Sequence, residues 1–389
     1  MKYDFRKVDA LIEKDIANGF PGAVLQVSYQ GRTVKHSSYG YKLRYDSEYK
    51  EVSIPEKMDL DSIFDLASNT KIFATTFIAI RMIEKGLLDL DKPLIDFLPG
   101  FYINNDITPR MLFSHCAGYG PEIWFFDDKN PLGKEFYSQD RELTKRLLLK
   151  APLEYEPLSK TVYSDTGFTL LGVLIEHILG KDLSAAAKEF IYNPFGLKDT
   201  TFLPLKNAID INRIAATSIG NTCNGTMNYP NIRKDLIRGE VQDEKAFYSM
   251  GGIAGHAGLF STSPDVIKMC DLVQDVYHEK GNAFFSRKIL TDFLTATGPD
   301  KTLVCGWRIN NGHKMSNLFS NRASELTIGH TGFTGTMTLI DLENHLSIVL
   351  LTNKIHSRCY ERVKYSGGTD FSTGKYEGVI DLIYQSINI

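Results

Sequence analysis

The sequence predicts an α/β chain of the α+β kind: an antiparallel sheet built from both chain ends, flanked by helices, with a helical lobe inserted between. Three observations carry this. Strand-like runs fall at about 22–40 and again after Thr302, and the stretch between them reads mostly as helices and loops. One segment, "IFATTFIAIRMIEKG", is apolar on every side of the helical wheel, so it needs a core all around it. The expectation is a single unit over 1–389, with a sheet lobe of about 1–65 and 290–389 and a helical lobe of about 66–289.

The elements follow in order. An amphipathic helix is expected from Asp4 to Asn18. A hairpin follows, "GAVLQVSYQG" then "RTVKHSSYG", turning at Gln30-Gly31. The buried helix comes next, with Arg81 the only charge between Ile72 and Ile83 and Gly86 as its C-terminal cap. From about Asp89 to Asp199 the clearest helix is "TGFTLLGVLIEHILG", closed by Gly180. Residues 200–260 are rich in glycine and asparagine and read as loop with short elements. A helix in "SPDVIKMCDLVQDVYHEKG" precedes strand-like runs in "LVCGWRI", "GHTGFTGTMTLID" and "LSIVLLTN". A final helix covers about Tyr376 to Ser386.

Composition narrows the partners. Of 389 residues, 43% are hydrophobic and 23% charged, the balance of an ordinary globular protein. A formal net charge of −3 argues against nucleic acid or an anionic membrane surface. No apolar run is long enough to span a bilayer. The start, "MKYDFRKVDALIEKDIANGF", has no apolar core of a secretory leader, so the expected compartment is the cytoplasm, or outside it if the native N-terminus was trimmed. Cys116, Cys223, Cys270, Cys305 and Cys359 are scattered, without C-x-x-C, and read as reduced thiols. The histidines show no metal-binding spacing; the expectation is no cofactor and no metal, a monomer, and a small-molecule or peptide substrate.

The chemistry is carried by a few short stretches. "LASNTK" places Ser68 and Lys71 one turn apart at the mouth of the buried helix. A serine hydroxyl needs a base to become a nucleophile, and a buried lysine can lose its proton near neutrality. Backbone N–H groups at a helix start also suit an oxyanion. The bland reading is an N-cap serine, at even odds on this stretch alone. Ser47–Lys50 and Ser372–Lys375 match S-x-x-K equally well, but neither opens a buried helix. Two further stretches weigh in. "TVYSDTGFTLLGVLIEHILG" sets Tyr163, Ser164 and Asp165 before a helix, and "TIGHTGFTGT" sets His330, Thr331, Gly332 and Phe333 on a C-terminal strand. Tyr229-Pro-Asn231 matches Y-x-N but lies in a loop.

Together these motifs resemble the serine β-lactamase and penicillin-binding superfamily. Tyrosine at the head of the second motif looks like the class C branch, with its β-lactamases, D-Ala-D-Ala carboxypeptidases, D-aminopeptidases and esterases. "FDLASNTKIFAT", "GLLDLDKPLIDFLPGF", "ITPRMLFSHCAGY", "YNPFGLKDTTF" and "GGIAGHAGLFST" resemble family segments in family order, over roughly residues 20–355. The resemblance implies the β-lactamase/transpeptidase-like fold and an acyl-enzyme mechanism. It makes Ser68 the nucleophile and gives Lys71 and Tyr163 its proton traffic. His330 and Thr331 would line the substrate strand, and the N–H groups of Ser68 and Phe333 would form the oxyanion hole. Gly332 would let the substrate lie flat along the strand.

Two positions depart from an efficient β-lactamase. Asp165 stands where asparagine is usual, which favours the Lys71 ammonium and shifts the burden of base to Tyr163. His330 stands where lysine is usual, and its charge is expected to change near neutrality and hold a substrate carboxylate only below that. The implied substrate is a β-lactam or muropeptide-like D-amino-acid amide. The alternatives are a small-acyl esterase, or a penicillin-binding module that does not turn over. His256 among the glycines of "GGIAGHAGLFST" and His115 in "FSHCAG" read first as structural. Trp124, Phe125 and Phe126 divide evenly between a pocket wall and a satellite core, and Asp243 and Glu244 read equally as anchors or as a cleft rim.

Overall fold

The computed structural model describes residues 3–221, 229–281, 284–357 and 370–389. Cys223 and Cys359 lie outside them; Cys116, Cys270 and Cys305 are buried free thiols. Among the described residues the main sheet has seven antiparallel strands. Their spatial order is Glu51–Lys57, Arg32–Tyr45, Gly22–Tyr29, Leu346–Thr352, Met337–Asp341, Thr327–Thr331 and Arg308–Ile309. The two chain ends therefore meet at the centre, where Ala23 pairs with Thr352 and Tyr29 with Leu346.

Alternation along the central strands divides the core. Ala23, Leu25 and Val27, with Ile348 and Leu350, face one side, where Val8 and Ile12 of the helix Arg6–Ala17 and Val379, Ile380 and Ile383 of Glu377–Ile387 cover them. Val24, Val349 and Leu351 face the other side and join the large core that includes Val266, Met269 and Val273 of the helix Ser263–Tyr277. Gln274 fixes that helix to the sheet by donating to the carbonyls of Asp341 and Leu346. The first hairpin turns at Gln30 and Gly31, both at positive φ (53° and 74°), the mirror-image turn that suits strand twist.

The buried segment is not one regular helix. A tight 3₁₀ turn over Ala67–Asn69 leads into a widened π turn over Lys71–Thr76 and then the α-helix Phe77–Glu84. Leu87 N–H donates to the Met82 carbonyl and Gly86 N–H to that of Ile83, with Gly86 at φ 69°, so the glycine closes the helix as its sequence position implies. The helix Asp165–Leu179 is capped by Ser164, whose hydroxyl accepts from Gly167 N–H, and ends at Gly180 with φ 62°.

"LVCGWRI" yields less strand than its sequence suggests. Gly306 takes φ 86° against Thr76, where a Cβ would lie 2.4 Å from the Thr76 hydroxyl, and the chain doubles back so that Leu303 bridges to Arg308. Only Arg308–Ile309 joins the ladder, as its edge. Among the described residues no helix is long and apolar enough to cross a membrane.

Candidate active site

Ser68 lines a cavity of about 640 Å³, with Tyr163, Asp165, His330, Thr331 and Phe333 also on its walls. The structure thus gathers three stretches far apart in sequence. Ala67, just before Ser68, has φ 46°, an uncommon conformation for a residue with a side chain. The surroundings hold it there. Ala67 N–H donates to Asp65, Thr334 donates to the Asp65 carbonyl, and Thr336 donates to the Leu66 carbonyl. The fully buried Asn69 donates to Thr336 and accepts from Thr338. Three threonines of the C-terminal hairpin thus lace the loop that carries Ser68, and sequence reasoning missed them. Their spacing, every second residue over "TGTMT", was the available signal.

Gly332 belongs to this lacing. A Cβ there would lie 2.2 Å from the Thr336 hydroxyl and 2.5 Å from the Leu66 carbonyl oxygen. The glycine is required by the approach of strand to nucleophile loop. Phe333, beyond it, is half exposed on the cavity wall.

Lys71 is fully buried, with Nζ 2.9 Å from Ser68 Oγ, 2.8 Å from Asp165 Oδ1 and 3.3 Å from the His256 carbonyl oxygen. It also lies 4.8 Å from the centroid of the Tyr163 ring. Burial pushes its pKa down, but Asp165 and Tyr163 outweigh burial and the net direction is up. Asp165 is held below the usual carboxylate range: burial opposes this, and Lys71 and Lys245 overcome it. Lys71 is therefore an ammonium that donates to Ser68.

Behind this pair lies a second ionic group that the sequence did not announce. Lys245 Nζ is 2.6 Å from Glu122, 3.1 Å from Asp243 and 3.3 Å from Asp165. His256 is buried, with Nε2 2.9 Å from Asp243 and Nδ1 2.8 Å from the Thr169 hydroxyl. His256 thus braces the network, and its backbone carbonyl, not its ring, meets Lys71. Asp165, Asp243 and His256 bring ligand-type atoms together, but Lys71 and Lys245 already neutralise the two carboxylates, so the donor set suits ammonium groups and not a metal ion.

His330 is buried, and burial first, then Lys71 and Arg308, push its pKa down to about 3. Its Nδ1 lies 2.8 Å from the Thr331 carbonyl, which can only accept, so Nδ1 carries the proton. Nε2 is then the acceptor 3.5 Å from the Tyr163 hydroxyl. Desolvation and two nearby cations oppose the imidazolium, so the ring is held neutral near pH 7, against the expectation that it charges there. Arg308, on the edge strand opposite Gly329, lies on the cavity wall 5.6 Å from the Tyr163 ring centroid, with no ion-pair partner among the described residues.

The remaining candidates sort clearly. His115 accepts from Ser164 N–H and its ring lies 4.6 Å from that of Tyr163, so it packs behind the tyrosine. Trp124 and Phe126 wall the cavity, whereas Phe125 is in the main core. Tyr229 packs against Phe126 and Tyr248. Asp243 is an anchor of the Lys245 group and Glu244 a cavity wall.

The Beta-lactamase family matches residues 8–365, and the chain belongs to that family. It is 40% identical over 394 residues to "N-acetylmuramyl-L-alanine amidase" of Bacillus subtilis (strain 168), covering 98% of this chain and 89% of the relative. It is 35% identical over 395 residues to "Putative D-alanyl-D-alanine carboxypeptidase" of Escherichia coli (strain K12), covering 98% and 90%. Its fold is similar to that of the class C β-lactamase from Rhodobacter sphaeroides, with a TM-score of 0.67 at 18% identity over 98% of this chain and 99% of the other. The protein is a hydrolase of the serine β-lactamase and DD-peptidase type.

Proposed function

We propose that Ser68 attacks the carbonyl carbon of a D-amino-acid peptide or muropeptide-like amide and carries the acyl group as an ester until water releases it. The observation that carries this reading is the short contact from a buried, charge-paired Lys71 to Ser68 Oγ inside a substrate-sized cavity. The names of both relatives denote cleavage of an amide bond, which favours amides over simple esters.

The charge state of Lys71 sets the roles. An ammonium donates to Ser68 Oγ and orients it but cannot take its proton. Tyr163 relays that proton: it accepts from Ser68 while giving its own hydroxyl proton to the leaving nitrogen. The C–N bond breaks as the Ser68 ester forms, and the freed amine departs with the relayed proton. Water reverses the relay and returns the carboxylic acid. The developing oxyanion lies toward the backbone N–H groups of Ser68 and Phe333. Arg308 holds a substrate carboxylate at the sheet edge, the place that a lysine in the third motif would otherwise serve.

Intact-mass measurement tests the reading. After incubation with β-lactams, D-alanyl-D-alanine peptides and N-acetylmuramyl peptides, the parent should gain one acyl mass and then lose it, and Ser68→Ala should gain none while melting like the parent. A stable adduct that never clears would favour a penicillin-binding module instead. Acylation of Ser68→Ala would refute the assignment outright.

A further inference from the structure

The charges in the cleft do not all find partners within the protein. Lys71 pairs with Asp165, and Lys245 is shared among Asp165, Asp243 and Glu122. Two groups remain on the cavity wall without an ion pair among the described residues: Arg308 at the sheet edge and Glu244 on the turn of the helical lobe that carries Asp243 and Lys245. Arg308 matches a substrate carboxylate. We propose that Glu244 takes the complementary charge, an ammonium group on the part of the substrate that Ser68 keeps as its acyl group. This rests on the acyl-enzyme reading above and narrows it to amides whose acyl portion carries an amine.

The surroundings of Glu244 support the assignment. Trp124 and Phe126 share its wall, and an aromatic rim beside a carboxylate is suited to an alkylammonium, whose methylenes pack while its head pairs. Burial, and then Asp243, push the Glu244 carboxyl up to about 7. Lys245 and Arg233 oppose that rise, and the buried Tyr229 stands near it. Glu122 and Asp165 are taken by Lys245, and His330 across the cavity is neutral near pH 7. The carboxyl therefore lacks a cation of its own among these neighbours, and an arriving ammonium would favour its ionised form.

The test reads affinity apart from turnover. Two tripeptides ending in D-alanyl-D-alanine and beginning with Nα-acetyl-lysine, one with a free side-chain amine and one with that amine acetylated, are titrated by calorimetry into Ser68→Ala at pH 8 and low salt. The free amine should bind about fivefold tighter, the scale of one additional unlike-charge contact in a partly wet cleft. In Ser68→Ala/Glu244→Gln the ratio should fall to about one, and with Glu244→Lys it should invert. Equal affinities in Ser68→Ala, binding of neither peptide, or an amine preference that survives Glu244→Gln would overturn the proposal. Penicillin labelling of the parent at Ser68 is scored separately. Its absence would sink the acyl-enzyme reading whatever the amine ratio, and its presence with equal affinities would sink only the ammonium site.

Discussion

Replacing Asp165 by asparagine should turn the pH dependence of stability around. In the parent, the Lys71 ammonium is paired at 2.8 Å and its pKa lies above the ordinary lysine value. A raised folded-state pKa contributes stability that is fully present below the unfolded value of about 10.4 and is lost as pH climbs through the folded pKa. The Asp165→Asn change removes the charge that outweighs burial, while Lys71 stays fully buried. Its folded pKa should then fall below the unfolded one, and the same group costs stability at neutral pH and stops costing it as pH rises toward about 10. Breaking a buried pair costs about 3–5 kcal/mol when one charge is stranded. Here the loss is smaller, because Lys71 keeps Ser68 Oγ and the His256 carbonyl, and the new amide oxygen can accept from it. About 2–3 kcal/mol at pH 7 is expected, a drop in melting temperature of about 2–4 °C for a chain of this size. Thermal melts of parent and variant from pH 6.5 to 10 read this directly, and the gap should narrow by more than half across that range. In parallel, a Lys71 able to lose its proton should speed acylation by β-lactams as pH rises. A constant gap at every pH would refute the argument, since Lys71 would then titrate alike in both proteins.

Three further expectations concern other walls of the site. Arg308→Ala should raise the KM for substrates with a free carboxylate about fivefold but leave their carboxamide analogues within about twofold, measured as initial rates on matched pairs. His330 is neutral when folded, with a pKa near 3 against about 6.5 unfolded, so it costs stability as pH falls below about 6.5. Urea midpoints at pH 7 and 4.5 should show His330→Gln losing about 2–3 kcal/mol less than the parent over that interval, and carboxylate affinity in the parent should not change through pH 6.5 on account of this residue. Gly332→Ala must push the strand from the Leu66 carbonyl, costing about 1–3 kcal/mol, and penicillin labelling of Ser68 should slow in the same variant. An alanine variant that melts and labels like the parent would show that the lacing has slack.

The sequence was legible where short-range rules act. The Gln30–Gly31 turn and the helix stops at Gly86 and Gly180 each depend on near neighbours in the chain, and each stands where pattern placed it. Ser68, Lys71, Tyr163, Asp165, His330 and Thr331 could be named because their motifs are compact. What remained hidden depends on distant partners. Lys245 reads as any surface lysine until folding brings Glu122, Asp165 and Asp243 around it. His330 reads as a neutral-pH switch until its burial and two neighbouring cations are known. Arg308 sits in a run that looks like a longer strand, and only the Gly306 turn against Thr76 shows that it reaches the cleft from a two-residue edge.

The pairing of Gly22–Tyr29 with Leu346–Thr352 also has a consequence for biosynthesis. The first hairpin leaves the ribosome with one apolar edge open, and the strand that closes it is made roughly 300 residues later, about 15–60 s at usual synthesis rates. For that interval Val24, Leu25 and Val27 form an unpaired strand edge of the kind that templates aggregation. Nascent chains of this protein should therefore depend on a holding chaperone until the last strand emerges, and truncations that end before Leu346 should be insoluble even though they retain Ser68, Tyr163 and His330.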